Sequence, residues 1–173
     1  LAIPGGAQSS EQRLHWLMEA RATVLLSTPT YALRLIEVAR EKGIDLRTSA
    51  IRNTIHAGEP GANVPSIREQ LESAWGARCW DHAGMSEVGA WGYQCPDDQG
   101  LHLLESEFIA EVLSMDTGEP VAEGQTGELI LTNLGRWAMP ALRYRTGDIV
   151  KWVSTPCTCG SPFLRFPGGV IGR

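Results

Sequence analysis

The feature that most constrains the fold of this chain is the alternation of two hydrophobic periodicities between residues 9 and 82. Apolar residues recur at three- and four-residue intervals in three stretches, as in amphipathic helices, and a short apolar run typical of a buried strand follows each stretch. Pro29 is predicted to open the second helix and Asn63 to cap the third. Alternating strands and helices build a parallel sheet with flanking helices. The predicted helices span residues 9–21, 29–42 and 63–75, and the predicted strands span residues 23–27, 51–56 and 77–82.

The pattern changes after about residue 90 to short β-rich runs separated by turn residues. Such runs are typical of hairpins in an antiparallel sheet or a small barrel. The predicted strands here span residues 101–104, 108–115, 127–133, 142–146 and 149–153. We therefore predict an α/β subdomain in residues 1–90 and a β-rich subdomain in residues 91–173.

Charge and hydropathy exclude several classes of protein. The net charge of -5 and the isoelectric point near 5.4 argue against a broad nucleic-acid surface, which needs clustered basic residues. No apolar run approaches the ~20 residues of a membrane-spanning helix. Residues 1–6 are typical of the tail of a strand and lack the charged and apolar regions of a secretion signal. We therefore expect a cytoplasmic protein that binds neither nucleic acid nor membranes.

Two loops directly follow predicted strands, at residues 57–61 and residues 83–87. Ligands of parallel sheets bind at the carboxyl ends of the strands, where both loops would lie. The first loop contains Gly58, Glu59 and Pro60, and a glycine lets a flat ligand approach the main chain closely. An ordinary strand-to-helix turn is the alternative interpretation of this loop.

The second loop presents one hydroxyl and one carboxylate, those of Ser86 and Glu87. A hydroxyl beside main-chain amides can hold a phosphoryl oxygen, and a carboxylate suits Mg²⁺, which prefers oxygen ligands. A serine cap followed by a glutamate in the first turn of a helix is the alternative. Farther along the chain, the carboxylate of Asp148 can accept two charge-assisted hydrogen bonds from a vicinal diol. A turn aspartate after Gly147 is the alternative.

Two segments resemble signatures of the adenylate-forming enzymes, the superfamily of acyl-CoA ligases, luciferases and peptide-synthetase adenylation domains. Residues 81–87 (Asp-His-Ala-Gly-Met-Ser-Glu) are similar to a turn that meets the phosphate of an acyl-adenylate. Residues 143–148 (Arg-Tyr-Arg-Thr-Gly-Asp) are similar to a strand that holds the ribose. Residues 27–31, residues 86–89 and the cysteine-bearing end resemble the phenylacetate-CoA ligase branch. The resemblance implies part of the large N-terminal domain of such an enzyme.

The resemblance also implies roles for individual residues. Ser86 would contact the phosphate, and Glu87 would hold Mg²⁺. Asp148 and Arg173 would hold the ribose side of the nucleotide. One departure is Ala83, which stands where the family commonly has an aromatic residue that stacks on adenine. The adenine slot would be lined by Gly58, Glu59, Pro60, Asp81 and His82, and the acid pocket by Tyr31, Ala57, Gly84 and Trp91.

Three of the four cysteines, together with one histidine, have a spacing typical of a metal site. Residues 156–160 (Pro-Cys-Thr-Cys-Gly) are similar to a metal-binding knuckle, and Cys95 and His102 flank another turn. With Cys157 and Cys159 they form a set that fits tetrahedral Zn²⁺, which would be structural because four protein ligands leave no position for water. Free thiols and an ordinary strand histidine are the alternative, and a disulfide is disfavoured in a reducing cytoplasm. Cys79 lies in an apolar strand and is predicted to be an inert buried thiol.

As a whole, the resemblance implies a ligase that joins a carboxylic acid to ATP, releases pyrophosphate and transfers the acyl group from AMP to the thiol of CoA. Two displacements through an activated intermediate make this condensation accessible. The ATP phosphate loop would precede residue 1, and the domain with the catalytic lysine would follow Arg173. We therefore expect the isolated chain to be inactive without the remaining segments of its enzyme. An adenylation domain that loads a carrier protein and a noncatalytic zinc-stapled binding module are the alternatives, and a homodimer is left open.

Overall fold

The computed structural model describes residue 2, residues 8–97 and residues 100–173, so the predicted strand tail at residues 1–6 lies outside the described residues apart from residue 2. The chain divides into two compact units, Leu1–Trp80 and Asp81–Arg173. The change in sequence pattern near residue 90 comes later than this division, because a strand that starts in the first unit forms a hairpin in the second. The subdomain boundary at residue 90 stays a prediction.

The first unit consists of parallel strands and the helices that connect them. β1 and β2 are parallel, with Val24 opposite Asn53, and β3 is the other neighbour of β2. The helices bury a core that includes Leu35 and Trp75. The predicted parallel sheet with flanking helices is confirmed. The elements are α1 (Ser10–Glu19), β1 (Val24–Ser27), α2 (Pro29–Glu41), a 3₁₀-helix (Leu46–Thr48), β2 (Asn53–His56), α3 (Pro65–Trp75) and β3 (Arg78–Met85), which continues into the second unit.

α1 and α2 begin after side chains that satisfy free N–H groups of their first turns. Ser9 and Gln12 form a reciprocal capping box at α1, and Thr28 caps α2 ahead of Pro29. The prediction that Asn63 caps α3 was wrong, because its Oδ1 accepts the N–H of Gly61 at 3.3 Å and the helix starts two residues later at a proline. None of the helices in the described residues is both long and apolar enough to cross a membrane.

The second unit is β-rich, as predicted, and its strands pair antiparallel in two sets. One set of neighbours runs β3-β4-β5-β9, and a separate four-stranded sheet runs β10-β8-β7-β6. Its core includes Trp91, Leu129 and Phe166. The further strands are β4 (Gly89–Tyr93), β5 (Gly100–Leu103), β6 (Phe108–Leu113), β7 (Thr126–Asn133), β8 (Tyr144–Lys151), β9 (Arg165–Pro167) and β10 (Val170–Gly172).

The structure corrects two predicted strand boundaries. The strand predicted to end at residue 82 continues to Met85, because it pairs with β4. The two strands predicted at residues 142–146 and 149–153 are one strand, β8. Gly147, which suggested a turn, has a φ of +74° and lies at a shift in the β7–β8 register, so the strand bulges there and continues.

Candidate active site and metal centre

The turn that carries Ser86 and Glu87 connects two antiparallel strands of the second unit. β3 ends with Met85 opposite Gly89, the first residue of β4. Gly89 has a φ of +98°, which glycine adopts without steric cost, so β4 starts directly after the turn. Ser86 and Glu87 are exposed, and both side chains are accessible to a ligand.

Side chains from the end of β7 and the segment after it hold the main chain of this turn. Arg136 Nη1 donates hydrogen bonds to the carbonyl oxygens of Ser86 and Glu87 at 3.3 and 3.2 Å. Asn133 Nδ2 donates to the carbonyl oxygen of Val88 at 2.6 Å. Neither residue was predicted from the sequence, because the contacts join positions 45 to 50 residues apart and no local pattern marks them.

Asp148 and Arg173, both predicted to bind the ribose side, lie together in the structure. Asp148 is on β8 and is 8% exposed, and its Oδ1 lies 3.7 Å from Nε of Arg173. The side chains of Asp148 and Arg173 lie close together because β10 pairs with β8, with Gly172 opposite Ile149. Strand pairing therefore places the last residue of the chain beside the carboxylate.

The carboxylate of Asp148 is buried and has unused hydrogen-bonding capacity. Burial raises its pKa, and the guanidinium of Arg173 opposes that shift. The N–H of Asp148 donates to Thr146 Oγ1 at 3.0 Å, which anchors the main chain. Among the described residues no donor hydrogen-bonds the carboxylate, since Arg173 at 3.7 Å is too far for such a bond. A buried acceptor of this kind is suited to hydroxyl donors from a ligand.

A second pair of charged residues stabilises the bulge that precedes Asp148. Arg145 Nε donates to Glu128 Oε2 at 3.0 Å, and this guanidinium lowers the pKa of Glu128. The N–H of Gly147 donates to the other carboxylate oxygen at 3.3 Å. Glu128 thereby connects β7 to the bulge and supports the position of Asp148.

In the first unit, the loop of residues 57–61 is bound to the N-terminus of α2. Glu59 Oε1 accepts the N–H of Thr30 at 2.7 Å. A Cβ at Gly61 would lie 2.4 Å from Cβ of Pro29, so this close approach requires glycine. Gly58 has a φ of +93°, which also favours glycine. Glu59 therefore serves as a helix cap, and the adenine role of Gly58, Glu59 and Pro60 stays a prediction.

Replacing Glu59 with glutamine is expected to lower the free energy of unfolding at neutral pH by about 0.5–1 kcal/mol, because a carboxylate at a helix N-terminus is favoured over a neutral amide. Hydrogen bonds from Thr30 lower the pKa of Glu59, so its contribution is present above the unfolded-state pKa and is lost as pH falls through the folded-state pKa. Urea unfolding at a series of pH values should show that the difference in the free energy of unfolding between wild type and E59Q becomes smaller from neutral to acidic pH. Glu69→Gln, at an exposed position of α3, is the control. A gap that does not change with pH would contradict the helix-cap role.

Two of the residues predicted to line the acid pocket are engaged within their own units. Trp91 is 0% exposed and packs edge-on against Phe166, with ring centroids 5.6 Å apart. Tyr31 is partly buried and donates its hydroxyl to Ser10 Oγ at 3.3 Å. Ala57, in the first unit, is partly exposed. Their contact with a substrate stays a prediction.

The β3 residues predicted near the nucleotide form a tight local network. The N–H of Asp81 donates to Gln94 Oε1 at 2.9 Å, and Asp81 Oδ1 accepts the N–H of His82 at 3.0 Å. His82 Nδ1 is buried and has no hydrogen-bond partner among the described residues. Gly84 packs so closely on the facing strand that a Cβ would lie 3.0 Å from Cα of Ala90. The unpartnered His82 nitrogen is the atom of this group that a ligand could still satisfy.

The four predicted metal ligands meet at one place in the second unit. Cys95 follows β4, His102 lies on β5, and Cys157 and Cys159 precede β9. β5 pairs with both β4 and β9, so strand pairing brings three distant segments together. The ligand atoms of Cys95, His102, Cys157 and Cys159 all lie within 4.8 Å of one another.

The distances in this cluster fit a tetrahedral ion. Cys95 Sγ lies 3.7 Å from Cys157 Sγ, and Cys159 Sγ lies 3.7 Å from His102 Nε2. Metal–sulfur bonds of ~2.3 Å and metal–nitrogen bonds of ~2.1 Å at tetrahedral angles separate such atoms by about 3.6–3.8 Å. A disulfide would need a sulfur–sulfur distance of ~2.05 Å, and all four cysteines are free.

Local contacts prepare the cluster for a cation. The N–H of Cys159 lowers the pKa of Cys157 to about 6, which favours the thiolate that a metal requires. Burial raises the pKa of Cys95 to about 11, so charge at this buried sulfur needs a cation beside it. The ring of Tyr93 stacks on that of His102, with centroids 5.4 Å apart, and orients the imidazole.

Comparisons with known proteins show which enzymes the chain is similar to. No family model matches it. It is 33% identical to the phenylacetate-coenzyme A ligase of Thermus thermophilus over an alignment of 174 residues, which covers 99% of this chain and 38% of that protein. It is 30% identical to the phenylacetate-coenzyme A ligase of Pseudomonas putida over 152 residues, which are 86% of this chain and 34% of that protein. The predicted resemblance to the phenylacetate-CoA ligases is confirmed.

A solved structure supports the same conclusion. The crystal structure of an open conformation of 2-hydroxyisobutyryl-CoA ligase in complex with 2-HIB-AMP and CoA matches this chain with a TM-score of 0.92 and 31% identity. The match covers 99% of this chain and 39% of that one. The chain therefore has the fold of one part of these ligases, and it spans 34% to 39% of the length of the phenylacetate-CoA ligases and the CoA ligase structure named here.

Proposed function

We propose that the protein containing this chain is an ATP-dependent carboxylic acid:CoA ligase that acts through an acyl-adenylate. The observation that carries the proposal is the match over 99% of the chain to a CoA ligase whose crystal structure holds an acyl-AMP and CoA. The pairing of Asp148 with Arg173 and the exposed Ser86–Glu87 turn supply suitable chemical groups within the second unit. The reaction joins a carboxylate to the α-phosphorus of ATP with loss of pyrophosphate, and the thiol of CoA then displaces AMP from the acyl carbon.

The roles that we propose follow from the chemistry of each side chain. The Asp148 carboxylate accepts hydrogen bonds from the two ribose hydroxyls, and the Arg173 guanidinium lies beside it on the ribose or phosphate side. The Ser86 hydroxyl donates to a phosphate oxygen. Glu87 would hold Mg²⁺, which supplies charge neutralisation at the phosphates. These groups bind and orient the nucleotide so that the substrate carboxylate attacks in line.

We propose that Asp81 and His82, both in the second unit, contact the adenine. The unpartnered Nδ1 of His82 is a hydrogen-bonding atom available to the purine. Gly84 and Trp91 are the candidate acid-pocket residues of the second unit.

We also propose that Cys95, His102, Cys157 and Cys159 bind one structural zinc ion. The four ligand atoms account for a complete tetrahedral shell, so the ion has no open position for catalysis. It connects β4 and β5 to the loop before β9, and through that loop to the end of the chain that carries Arg173. Cysteines that form no disulfide are typical of a reducing compartment, and we propose the cytoplasm as the location.

Release of AMP tests the proposed function. With the intact protein, ATP and a panel of aryl and aliphatic carboxylic acids, AMP release should require both an acid and CoA, and an acyl-CoA thioester should accumulate. An acyl-adenylate that forms but reacts only with a carrier protein would identify a carrier-loading domain. No acid-dependent consumption of ATP with any member of the panel would support a noncatalytic zinc-stapled binding module.

A further inference from the structure

Three consecutive main-chain carbonyl groups in the Ser86–Glu87 turn accept hydrogen bonds from two nearby side chains. Arg136 Nη1 donates to the carbonyls of Ser86 and Glu87, and Asn133 Nδ2 donates to that of Val88. Asn133 is the last residue of β7 and is buried, whereas Arg136 is exposed. The turn is therefore held from one side by a short segment that starts from a rigid strand.

The hydrogen bonds constrain the main chain of the turn without occupying its functional groups. The Ser86 hydroxyl and the Glu87 carboxylate take no part in these bonds and remain exposed. Arg136 Nη1 also lies close to Gly89, 3.6 Å from the position that a Cβ would take there. The guanidinium thus hydrogen-bonds the start of the turn and lies near its end.

We propose that Arg136 is a positioning residue that holds Ser86 and Glu87 in the geometry required for adenylate formation. The inference rests on the proposed function, because Ser86 and Glu87 are the groups that meet the phosphates. One guanidinium nitrogen with two N–H bonds can serve two carbonyls at once, which a lysine ammonium on a flexible stem does less well. A misplacement of ~1 Å at a reacting group can lower the rate by about 100-fold, so the positioning has kinetic consequences.

The test uses the intact protein and acid-dependent ATP–pyrophosphate exchange. Arg136→Ala is expected to lower kcat by about tenfold or more while the KM for the carboxylic acid changes less than about twofold. Arg136→Lys is expected to recover part of the loss, because its ammonium keeps the charge and can still donate hydrogen bonds. Arg47→Ala is the matched control, since it removes the same charge from an exposed arginine that pairs with Asp45 in the first unit.

Hydrogen exchange of the backbone amides gives a second measurement that does not depend on activity. Arg136→Ala should speed exchange in residues 84–89 and leave α2, in the first unit, as protected as in wild type. If Arg136→Ala leaves hydrogen exchange in residues 84–89 unchanged, or keeps kcat within about twofold of wild type, the positioning role is overturned. A loss of activity accompanied by faster exchange throughout the second unit would show a general stability effect and would also overturn it. Wild-type protein that shows no acid-dependent ATP–pyrophosphate exchange would instead refute the proposed function.

Discussion

Replacing Asp148 with asparagine is expected to lower kcat/KM for MgATP by about 100-fold, while the folded protein stays at least as stable as wild type. The carboxylate can accept two charge-assisted hydrogen bonds from the ribose hydroxyls, whereas the asparagine amide offers one neutral acceptor. The remaining guanidinium of Arg173 has a side chain that is 72% exposed, so loss of its partner costs little stability. Steady-state kinetics with varied MgATP and thermal unfolding of the same preparations measure the two quantities.

The expected difference in stability between D148N and wild type depends on pH. Burial raises the pKa of Asp148, so the folded protein retains a proton that the unfolded chain has already released. Stability therefore falls as pH rises from the unfolded-state pKa to the folded-state pKa, and the wild type carries this penalty above that window. The asparagine side chain of the variant cannot ionise, so D148N should gain stability relative to wild type over the same window and keep that gain at neutral pH.

Asp116→Asn provides a matched control for the substitution. Asp116 is exposed in the turn after β6 and lies outside the proposed site. This variant should retain wild-type kcat/KM. A D148N enzyme with kcat/KM for MgATP within about threefold of wild type would contradict the ribose-binding role. A large drop in melting temperature would contradict the proposed electrostatic penalty.

The second large effect concerns the cluster of three cysteines and one histidine. Freshly purified protein should contain one zinc ion per chain, and Cys157→Ser or Cys159→Ser should lose it. A ligand that binds only the folded state raises the free energy of unfolding by about 3 kcal/mol when its free concentration is about 100 times its dissociation constant. For a unit of this size, such a loss corresponds to a fall in melting temperature of more than about 10 °C.

Cys79 is the control for general effects of cysteine replacement. It is buried in the first unit and is not one of the four cluster residues, so Cys79→Ser should retain one metal ion even if its melting temperature falls. Substitution with Co²⁺ should give thiolate-to-metal absorption in the wild type and Cys79→Ser, but lose intensity in Cys157→Ser. Metal-free protein purified from a zinc-replete culture, with the same melting temperature with and without chelator, would contradict the zinc site.

Local patterns predicted the parts of the fold that depend on local chemistry. The periodicity of residues 9–82 predicted the parallel α/β unit, and the spacing around Cys95 and Cys157 predicted the cluster. The motif around Asp148 identified the carboxylate that the structure places beside Arg173. In each case the order of residue types along a short segment directly gives either the periodicity of a helix or strand or the chemical groups of a site.

Other features depend on strand pairing and could not be predicted from local sequence. β9 and β10 are three residues each, too short for a periodic signal, and they exist because β5 and β8 provide partners. Gly147 was interpreted as a turn, but the pairing with β7 makes it a bulge. The contact of Arg136 with the Ser86–Glu87 turn joins residues 50 apart and depends on the folded arrangement.

The most direct test of the account is ATP–pyrophosphate exchange by the intact protein in the absence of CoA. Labelled pyrophosphate should enter ATP only when a suitable carboxylic acid is present, because formation of the acyl-adenylate is reversible. D148N should reduce this exchange by about 100-fold. Exchange that needs no acid, or no exchange with a broad panel of acids by folded, zinc-containing protein, would contradict the claim that this chain forms part of an acyl-adenylate site.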